Sequence, residues 1–370
     1  MINFIYCLFF NLFLKNFSFF WKHLYIIRLK LLIKWSLVIF IFGNSDFVYE
    51  YGKVTLDKFE FENGFIIENP DVEFMVKGIP EYDDSGNITN AVMVCHKYDG
   101  NCSSIDELIS LTCEGAAFDY NKYFLISISS LGTPDSCSPS STGLRYKFPE
   151  YTFKDKVNFK KQFLKEKFNI EKVLGFIGTG MGGYEVYTWA CEYPDFMDFI
   201  VIVNSSFKTN GYRYAVSKGI ESIIESSDDF YSDVYNDSLS RMMVSINKVM
   251  YTNYLSRKNF EKMSNDEIDI MMDDHAENKL FIDIYDFKLQ NNAIMNFNLE
   301  DKISEIQAKT LVITPIDELY FSKEYDILPL KDLIEDCKIV SMELNVNHFE
   351  SDIDYNILND IFKDFLKQFD

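Results

Sequence analysis

A glycine-rich turn, followed much later by an aspartate and a histidine, has the spacing for acyl-transfer chemistry. The turn, Gly178-Thr179-Gly180-Met181-Gly182-Gly183, directly follows the apolar run 173–177 and precedes a helix-forming segment. Strand, sharp turn and helix in this order expose the serine of a G-x-S-x-G nucleophile motif. Asp317 and His348 then follow in the order in which an acid and a base complete the triad. Glycine at position 180 has no side chain to acylate, so the pattern predicts a triad site without its nucleophile.

The segments that must position these residues alternate between short apolar runs and amphipathic runs. The apolar runs are typical of strands buried in a parallel sheet, and they span 91–95, 123–128, 173–177, 199–203, 310–314 and 338–342. The amphipathic runs predict helices, and they span 155–168, 328–336 and 357–369. Alternating apolar and polar residues at 54–61 and 72–77 predict antiparallel strands near a sheet edge. The order predicts an α/β fold with a mostly parallel central sheet and helices on both faces.

The domain organisation follows from where the alternation of apolar and amphipathic runs stops. Residues 210–305 are helical in character, without strand-like runs, and we expect them to form a cap over the carboxyl ends of the strands. The core is then predicted to comprise residues 47–209 and 306–370. Residues 1–45 form a separate hydrophobic, basic segment outside the folded core.

Several motifs together resemble the homoserine O-acetyltransferase family, whose members have the α/β-hydrolase fold. They are Leu131-Gly132, Ser138-Pro139-Ser140-Ser141-Thr142-Gly143, Phe148-Pro149-Glu150-Tyr151-Thr152 with Asp155-Lys156-Val157, Met181-Gly182-Gly183 through Trp189-Ala190, Tyr193-Pro194-Asp195 and Asp317-Glu318-Leu319-Tyr320. The resemblance extends from about residue 54 to residue 369 and is patchy in the cap. It implies a nucleophile elbow, a triad and a helical cap.

When the family's reaction is carried over to this sequence by position, the sequence differs from the family's pattern at the residue needed for the first step. In that family the elbow serine takes an acyl group from acyl-CoA, and the acyl-enzyme passes it to an amino-acid hydroxyl. The resemblance places the serine position on Gly180, the acid on Asp317 and the base on His348. The resemblance therefore implies an acyl-CoA co-substrate and no other cofactor.

The oxyanion hole and the substrate grip are also implied by the resemblance. The two oxyanion amides fall on Met181 and on Tyr98, which lies in His96-Lys97-Tyr98-Asp99-Gly100. The family's substrate-gripping arginine, early in the cap, falls on Lys218. A lysine there keeps the positive charge but loses the bidentate grip on a carboxylate.

Three hypotheses about function therefore stand side by side, and the sequence leaves open whether the protein is an enzyme. The leading hypothesis is a catalytically impaired family member, a pseudoenzyme that binds a small molecule, an acyl-CoA or a protein partner between sheet and cap. The second is an active acyltransferase or hydrolase, in which His348 and Asp317 activate water or an acceptor hydroxyl without a covalent intermediate. The third is a membrane-tethered scaffold without catalysis. A homodimer is compatible with each of them.

Composition excludes other classes of function. The net charge is −21, and such an acidic surface repels phosphate backbones, so we expect no nucleic-acid partner. The seven cysteines form no C-x-x-C pair and no cluster with histidine, which predicts no metal site. In a chain this long they are typical of buried, reduced thiols in a cytoplasmic protein.

The first 45 residues contain five basic and no acidic side chains. Their best membrane-spanning window, 24–42, includes Arg28, Lys30 and Lys34, each of which costs roughly 2.5–3.5 kcal/mol near the bilayer centre. Three interpretations remain open: membrane association through residues 1–42, an upstream extension that is not part of the working protein, and a cleaved export signal.

Overall fold

An eight-stranded sheet forms the centre of the computed structural model, which describes residues 47–232, 234–253, 255, 257–279, 282–316, 321–342 and 355–369. Its strands, in chain order, are β1 (Val48–Thr55), β4 (Asp71–Gly78), β5 (Ala91–Cys95), β6 (Phe124–Ile128), β7 (Gly175–Thr179), β8 (Phe199–Val203), β9 (Lys309–Pro315) and β10 (Cys337–Met342). Their order across the sheet is β1-β4-β6-β5-β7-β8-β9-β10. In this order, the strands β6, β5, β7, β8, β9 and β10 pair in parallel. At one edge, β4 pairs antiparallel with both β6 and β1. The predicted mostly parallel sheet is confirmed.

Helices connect the strands and continue into the region after β8. Before β8 they are α1 (Ser104–Glu107), α2 (Ile109–Thr112), α3 (Pro139–Thr142), α4 (Phe153–Phe168) and α5 (Met181–Glu192). After β8 they are α6 (Gly211–Glu225), α7 (Asp237–Tyr251), α8 (Arg257–Phe260), α9 (Asn265–Asn278), α10 (Ile284–Met295), α11 (Leu330–Leu333) and α12 (Tyr355–Leu366). A small second sheet pairs β2 (Lys58–Glu60) with β3 (Ile66–Glu68).

The two faces of the main sheet bury two separate apolar clusters. Helices α4 and α5 pack on one face, where Phe159 and Trp189 are fully buried with alternate residues of the strands. Helices α1, α2 and α12 cover the other face, where Leu111 and Phe362 are buried. Helices on both faces explain why the central strands are apolar along their whole length, as the sequence predicts.

The helices between β8 and β9 bury an apolar cluster of their own. Its members come from α6, α7 and α10 and include Ile220, Leu239, Ile246, Ile284 and Phe287. Helix α10 also contacts the core, because the Asp286 carboxylate accepts hydrogen bonds from the Ser140 amide at 2.8 Å and the Ser140 hydroxyl at 2.5 Å. This contact ties the helical region to α3.

Two predicted elements differ from the observed ones. The run 54–61 is divided between β1 and β2, because Leu56 and Asp57 leave the main sheet and β2 pairs with β3 instead. The predicted helix 328–336 is only one turn long, at α11, and Pro329 lies immediately before it. Proline has no amide hydrogen and favours the start of a helix.

The chain divides into two units, Met1–Ile41 and Phe42–Asp370. The predictions for residues 1–45 lie outside the described residues. Within the described ranges, no helix has the length and apolar character needed to cross a membrane.

Candidate active site

The turn between β7 and α5 has the backbone geometry of a strand–turn–helix elbow. Gly180 lies at its tip, with φ of 54° and ψ of −117°, outside the regions open to ordinary L-residues. The Gly180 amide donates to the Val203 carbonyl at 3.1 Å, and the Ser205 hydroxyl donates to the Gly180 carbonyl at 2.7 Å. Neighbouring strand β8 and its following loop therefore hold the turn in a conformation that glycine adopts freely and an L-residue adopts only with strain.

The flanking glycines are required by close backbone contacts. A Cβ atom at Gly178 would lie 2.4 Å from the Gly182 carbonyl oxygen, and one at Gly182 would lie 2.2 Å from the Cys95 carbonyl oxygen. Both distances are far below van der Waals contact. The spacing of the motif thus brings the start of α5 directly against the end of β5.

Position 180 is not crowded by any of the described residues. A Cβ atom built there meets no described heavy atom within 4 Å, in contrast to the crowded positions on either side. The described residues therefore leave space for a side chain at the tip of the elbow, where this chain has glycine.

The elbow faces a cavity of about 90 Å³. The residues on its wall come from the β5 loop, the elbow, the end of β8 and the helical region, and they include Tyr98, Gly180, Met181, Asn204, Arg213 and His275. Tyr98 and Met181 therefore lie beside Gly180, where the resemblance places the oxyanion hole. Their role in binding an oxyanion stays a prediction.

The loop that carries Tyr98 is supported by a buried histidine. The Ser130 amide donates to His96 Nε2 at 3.0 Å, which leaves Nδ1 to donate to the Lys97 carbonyl at 2.7 Å. Burial lowers the pKa of His96 to about 4, so the ring is neutral at pH 7. This neutral ring can both accept and donate, and it fixes the end of β5 against the end of β6.

Lys218 lies away from the cavity. Its side chain is about half exposed and pairs with Glu221 on the same helix, so the structure does not bring it to the elbow. Arg213, five residues earlier in α6, lines the cavity instead and donates to the Ser217 hydroxyl at 3.0 Å. The sequence analysis missed Arg213, although it is the arginine nearest the start of the predicted cap.

Asp317 and His348, the predicted acid and base, lie outside the described residues. Their assignment stays a prediction based on the resemblance and on chain order. Within the ranges that the structure covers, no cluster of side chains suitable for a metal ion is found.

A buried charged group beneath the elbow was also missed by the sequence analysis. Lys156 and Lys160 on α4 and Glu185 on α5 are fully buried. Lys160 Nζ contacts a Glu185 oxygen at 2.5 Å, the Ser130 hydroxyl donates to the other Glu185 oxygen at 2.5 Å, and Lys156 Nζ donates to the Leu131 carbonyl at 2.5 Å. Both lysines lie at helical spacing among the buried Val157, Phe159 and Phe163, a pattern that could have revealed them.

Helix α4 begins two residues before the predicted run 155–168. Thr152 is its N-cap, and Asp155 completes a capping box three residues later. The Asp155 carboxylate accepts from the Thr152 amide at 2.8 Å and from the Glu62 amide at 2.7 Å. These contacts give Asp155 a structural role at the start of the helix.

The sheet order, the elbow and the helical region above it define an α/β-hydrolase fold. The chain has a TM-score of 0.73 to the crystal structure of homoserine O-acetyltransferase from Bacillus anthracis, at 18% identity, covering 86% of this chain and 98% of that one. No family model matches the chain.

Proteins of similar sequence identify the family of this chain within the fold class. A probable acyltransferase from Methanothermobacter thermautotrophicus is 38% identical over 293 residues, which cover 79% of this chain and 90% of the relative. A homoserine O-acetyltransferase from Deferribacter desulfuricans is 29% identical over 230 residues, covering 56% of this chain and 58% of the relative. A homoserine O-succinyltransferase from Acinetobacter baylyi is 25% identical over 302 residues, covering 74% and 75%. The chain belongs to the acyltransferase family that includes the homoserine O-acetyltransferases.

Proposed function

We propose that this protein binds a small acyl-type ligand in the family's pocket and does not form an acyl-enzyme. The single observation that carries the proposal is the glycine at the tip of an intact elbow. Gly180 has an elbow backbone that is unfavourable for L-residues, and no described heavy atom lies near its Cβ direction, yet it has no oxygen or sulfur to attack a thioester. The pocket is therefore suited to binding, while the covalent step lacks its nucleophile.

The rest of the pocket supports ligand binding. Met181 and Tyr98 lie beside the elbow, where their amides would face the acyl oxygen. Arg213, which α6 contributes to the pocket wall, offers a planar cation suited to a carboxylate. The acyl group carried by the ligand stays open, since the relatives are named for both acetyl and succinyl transfer.

The test is to incubate the purified chain with acetyl-CoA or succinyl-CoA, with and without homoserine. We expect no release of CoA above the uncatalysed rate, and no increase in intact mass corresponding to an acyl adduct. Gly180→Ser is the matched variant, because it restores only the missing hydroxyl. A mass increase in that variant alone would show that the remaining site can still support acylation.

Sustained turnover by the unmodified chain would contradict the proposal. The loss of such turnover in His348→Ala, but not in Gly180→Ala, would instead favour direct general-base catalysis. An adduct on a residue next to Gly180 would reveal a different nucleophile.

A further inference from the structure

The peptide between Gly180 and Met181 is held by a buried hydroxyl. Ser205 lies in the loop after β8, is fully buried and donates to the Gly180 carbonyl oxygen at 2.7 Å. The Gly183 amide donates to the same oxygen at 3.0 Å, within the first turn of α5. Ser205 therefore adds a hydrogen bond from outside the helix, and both lone pairs of the Gly180 carbonyl are used.

The planarity of this peptide sets the direction of the Met181 amide. The Gly180–Met181 peptide is trans, so its carbonyl oxygen and its amide hydrogen lie on opposite sides of the peptide bond. Met181 is the first residue of α5 and lies on the wall of the elbow cavity. The first amides of a helix have no acceptor within that helix. With the oxygen directed towards Ser205, the amide hydrogen is thus a donor on the opposite side of the peptide.

Ser205 is packed directly against the start of α5. A Cβ atom at Gly183 would lie 2.4 Å from Ser205 Cβ and 2.5 Å from Ser205 Oγ, so glycine at 183 allows the helix backbone to approach the hydroxyl. The Gly180 amide also donates to the Val203 carbonyl at 3.1 Å. The end of β8 and its loop therefore hold Gly180 through both its amide and its carbonyl. These two bonds restrict a residue type that has more backbone freedom than any other.

The peptide before Tyr98 is arranged in the same way. His96 Nδ1 donates to the Lys97 carbonyl at 2.7 Å, and the trans peptide directs the Tyr98 amide hydrogen to the opposite side. His96 is buried, as Ser205 is. Both amides that the resemblance assigns to the oxyanion hole thus follow a carbonyl that a buried side chain holds.

We propose that Ser205 is a positioning residue of the pocket, whose hydroxyl directs the Met181 amide towards the carbonyl oxygen of a bound acyl group. This inference rests on the proposed function and names the residue that aligns one donor for its ligand. Ser205 acts through the peptide that it holds, since its own side chain is buried. Alignment matters because a hydrogen bond weakens steeply as its angle at the hydrogen falls.

The first test observes the Met181 amide by NMR, in the full chain labelled with ¹⁵N-methionine. Met181→Leu removes this resonance and so assigns it. We expect Ser205→Ala to shift the Met181 resonance more than that of any other methionine, because the nitrogen senses the hydrogen bond to the carbonyl of its own peptide. Ser205→Cys, whose thiol is a weak donor, should reverse part of the shift. Ser206→Ala is the matched control, since this neighbouring buried hydroxyl instead accepts from the Lys208 amide at 3.2 Å.

The second test measures ligand affinity by calorimetry. The probes are coenzyme A and the ketone analogue of acetyl-CoA in which a methylene replaces the thioester sulfur, so that no acyl transfer occurs. We expect the unmodified chain to bind the ketone analogue about tenfold more tightly than coenzyme A, because an additional hydrogen bond is made to its carbonyl oxygen. Ser205→Ala should lose most of this preference and keep its affinity for coenzyme A, whereas Ser206→Ala should keep both.

Two results would overturn the inference: an unshifted Met181 resonance in Ser205→Ala, or a tenfold preference for the ketone analogue that persists in that variant. Absence of the preference in the unmodified chain would instead contradict the proposed function, and the Met181 resonance would then decide the role of Ser205 by itself. Circular dichroism of each variant verifies that the fold is intact.

Discussion

A serine at position 180 would meet no described atom at its Cβ, but its backbone conformation would be unfavourable. The ψ of −117° at Gly180 distinguishes it from Gly143, a helix C-cap with φ of 72° and ψ of 4° in the ordinary left-handed region. Neither position has a described heavy atom within 4 Å of an added Cβ. Differences between serine variants at these two sites therefore report backbone strain rather than steric clash.

We expect Gly180→Ser to lower the free energy of unfolding by about 2–3 kcal/mol and Gly143→Ser by about 1 kcal/mol. The larger loss follows from a backbone conformation that is almost restricted to glycine. Urea denaturation followed by tryptophan fluorescence measures both values. Equal losses in the two variants would show that the elbow is not strained in the folded chain.

Lys156 is a second residue whose environment predicts a measurable effect. Burial lowers its pKa to about 8, against an ordinary value near 10.5, although Glu185 partly opposes the shift. Between these two values the unfolded chain binds more protons at this site than the folded chain. The contribution of Lys156 to stability therefore rises with pH from about 8 to about 10.5.

Replacing the lysine with methionine should remove this pH dependence. The stability of Lys156→Met relative to the unmodified chain should be higher at pH 7 than at pH 10, by up to about 3 kcal/mol. Urea denaturation of both proteins at the two pH values measures the difference. Lys161→Met, on the same helix but less buried, is the control, and an equal pH effect in both variants would refute the assignment.

At the scale of elements, the contact between the start of α5 and the end of β5 is the most constrained part of the site. Gly182→Ala would place a methyl group 2.2 Å from the Cys95 carbonyl oxygen, and a backbone atom cannot rotate away. We expect a loss of about 3 kcal/mol or more in the free energy of unfolding, because the helix must shift.

Gly219 in α6 provides the opposite case. An added Cβ there meets no described heavy atom within 4 Å, and the residue lies inside a helix. Gly219→Ala should stabilise the protein by about 0.5–1 kcal/mol through helix propensity alone. The unfolding temperatures of Gly182→Ala and Gly219→Ala should thus shift in opposite directions. Shifts of the same sign would contradict this account.

At the scale of the whole molecule, the division between Ile41 and Phe42 predicts a stable core without the first segment. A protein starting at Phe42 should unfold within about 2 °C of the full chain, because the apolar clusters of the described residues are built from side chains that bury one another. A larger decrease would show that the first segment contributes to the fold. Cell fractionation of the two proteins then tests the membrane hypothesis, since a membrane anchor in the first segment would place only the full chain in the membrane fraction.

The sequence by itself determined the sheet, its mostly parallel order and the glycine at the elbow tip. Buried parallel strands must be apolar throughout, and a glycine cannot carry a nucleophile, so composition and spacing are sufficient evidence for both. The resemblance could place Met181 and Tyr98 beside the elbow, because Met181 directly follows the elbow tip and Tyr98 lies shortly after β5 in the sequence. These features depend on residues that are close together in the sequence.

Only the tertiary structure decided which side chains surround the cavity. Lys218 and Arg213 lie on one helix five residues apart, and the packing of α6 on its neighbours turns Arg213 inward and leaves Lys218 exposed. The place of Lys97 on the wall of the same cavity likewise depends on how the loop after β5 packs in the assembled fold. Contacts between residues distant in sequence set the charge of the pocket, because burial and electrostatic potential arise from the assembled fold rather than from any single segment.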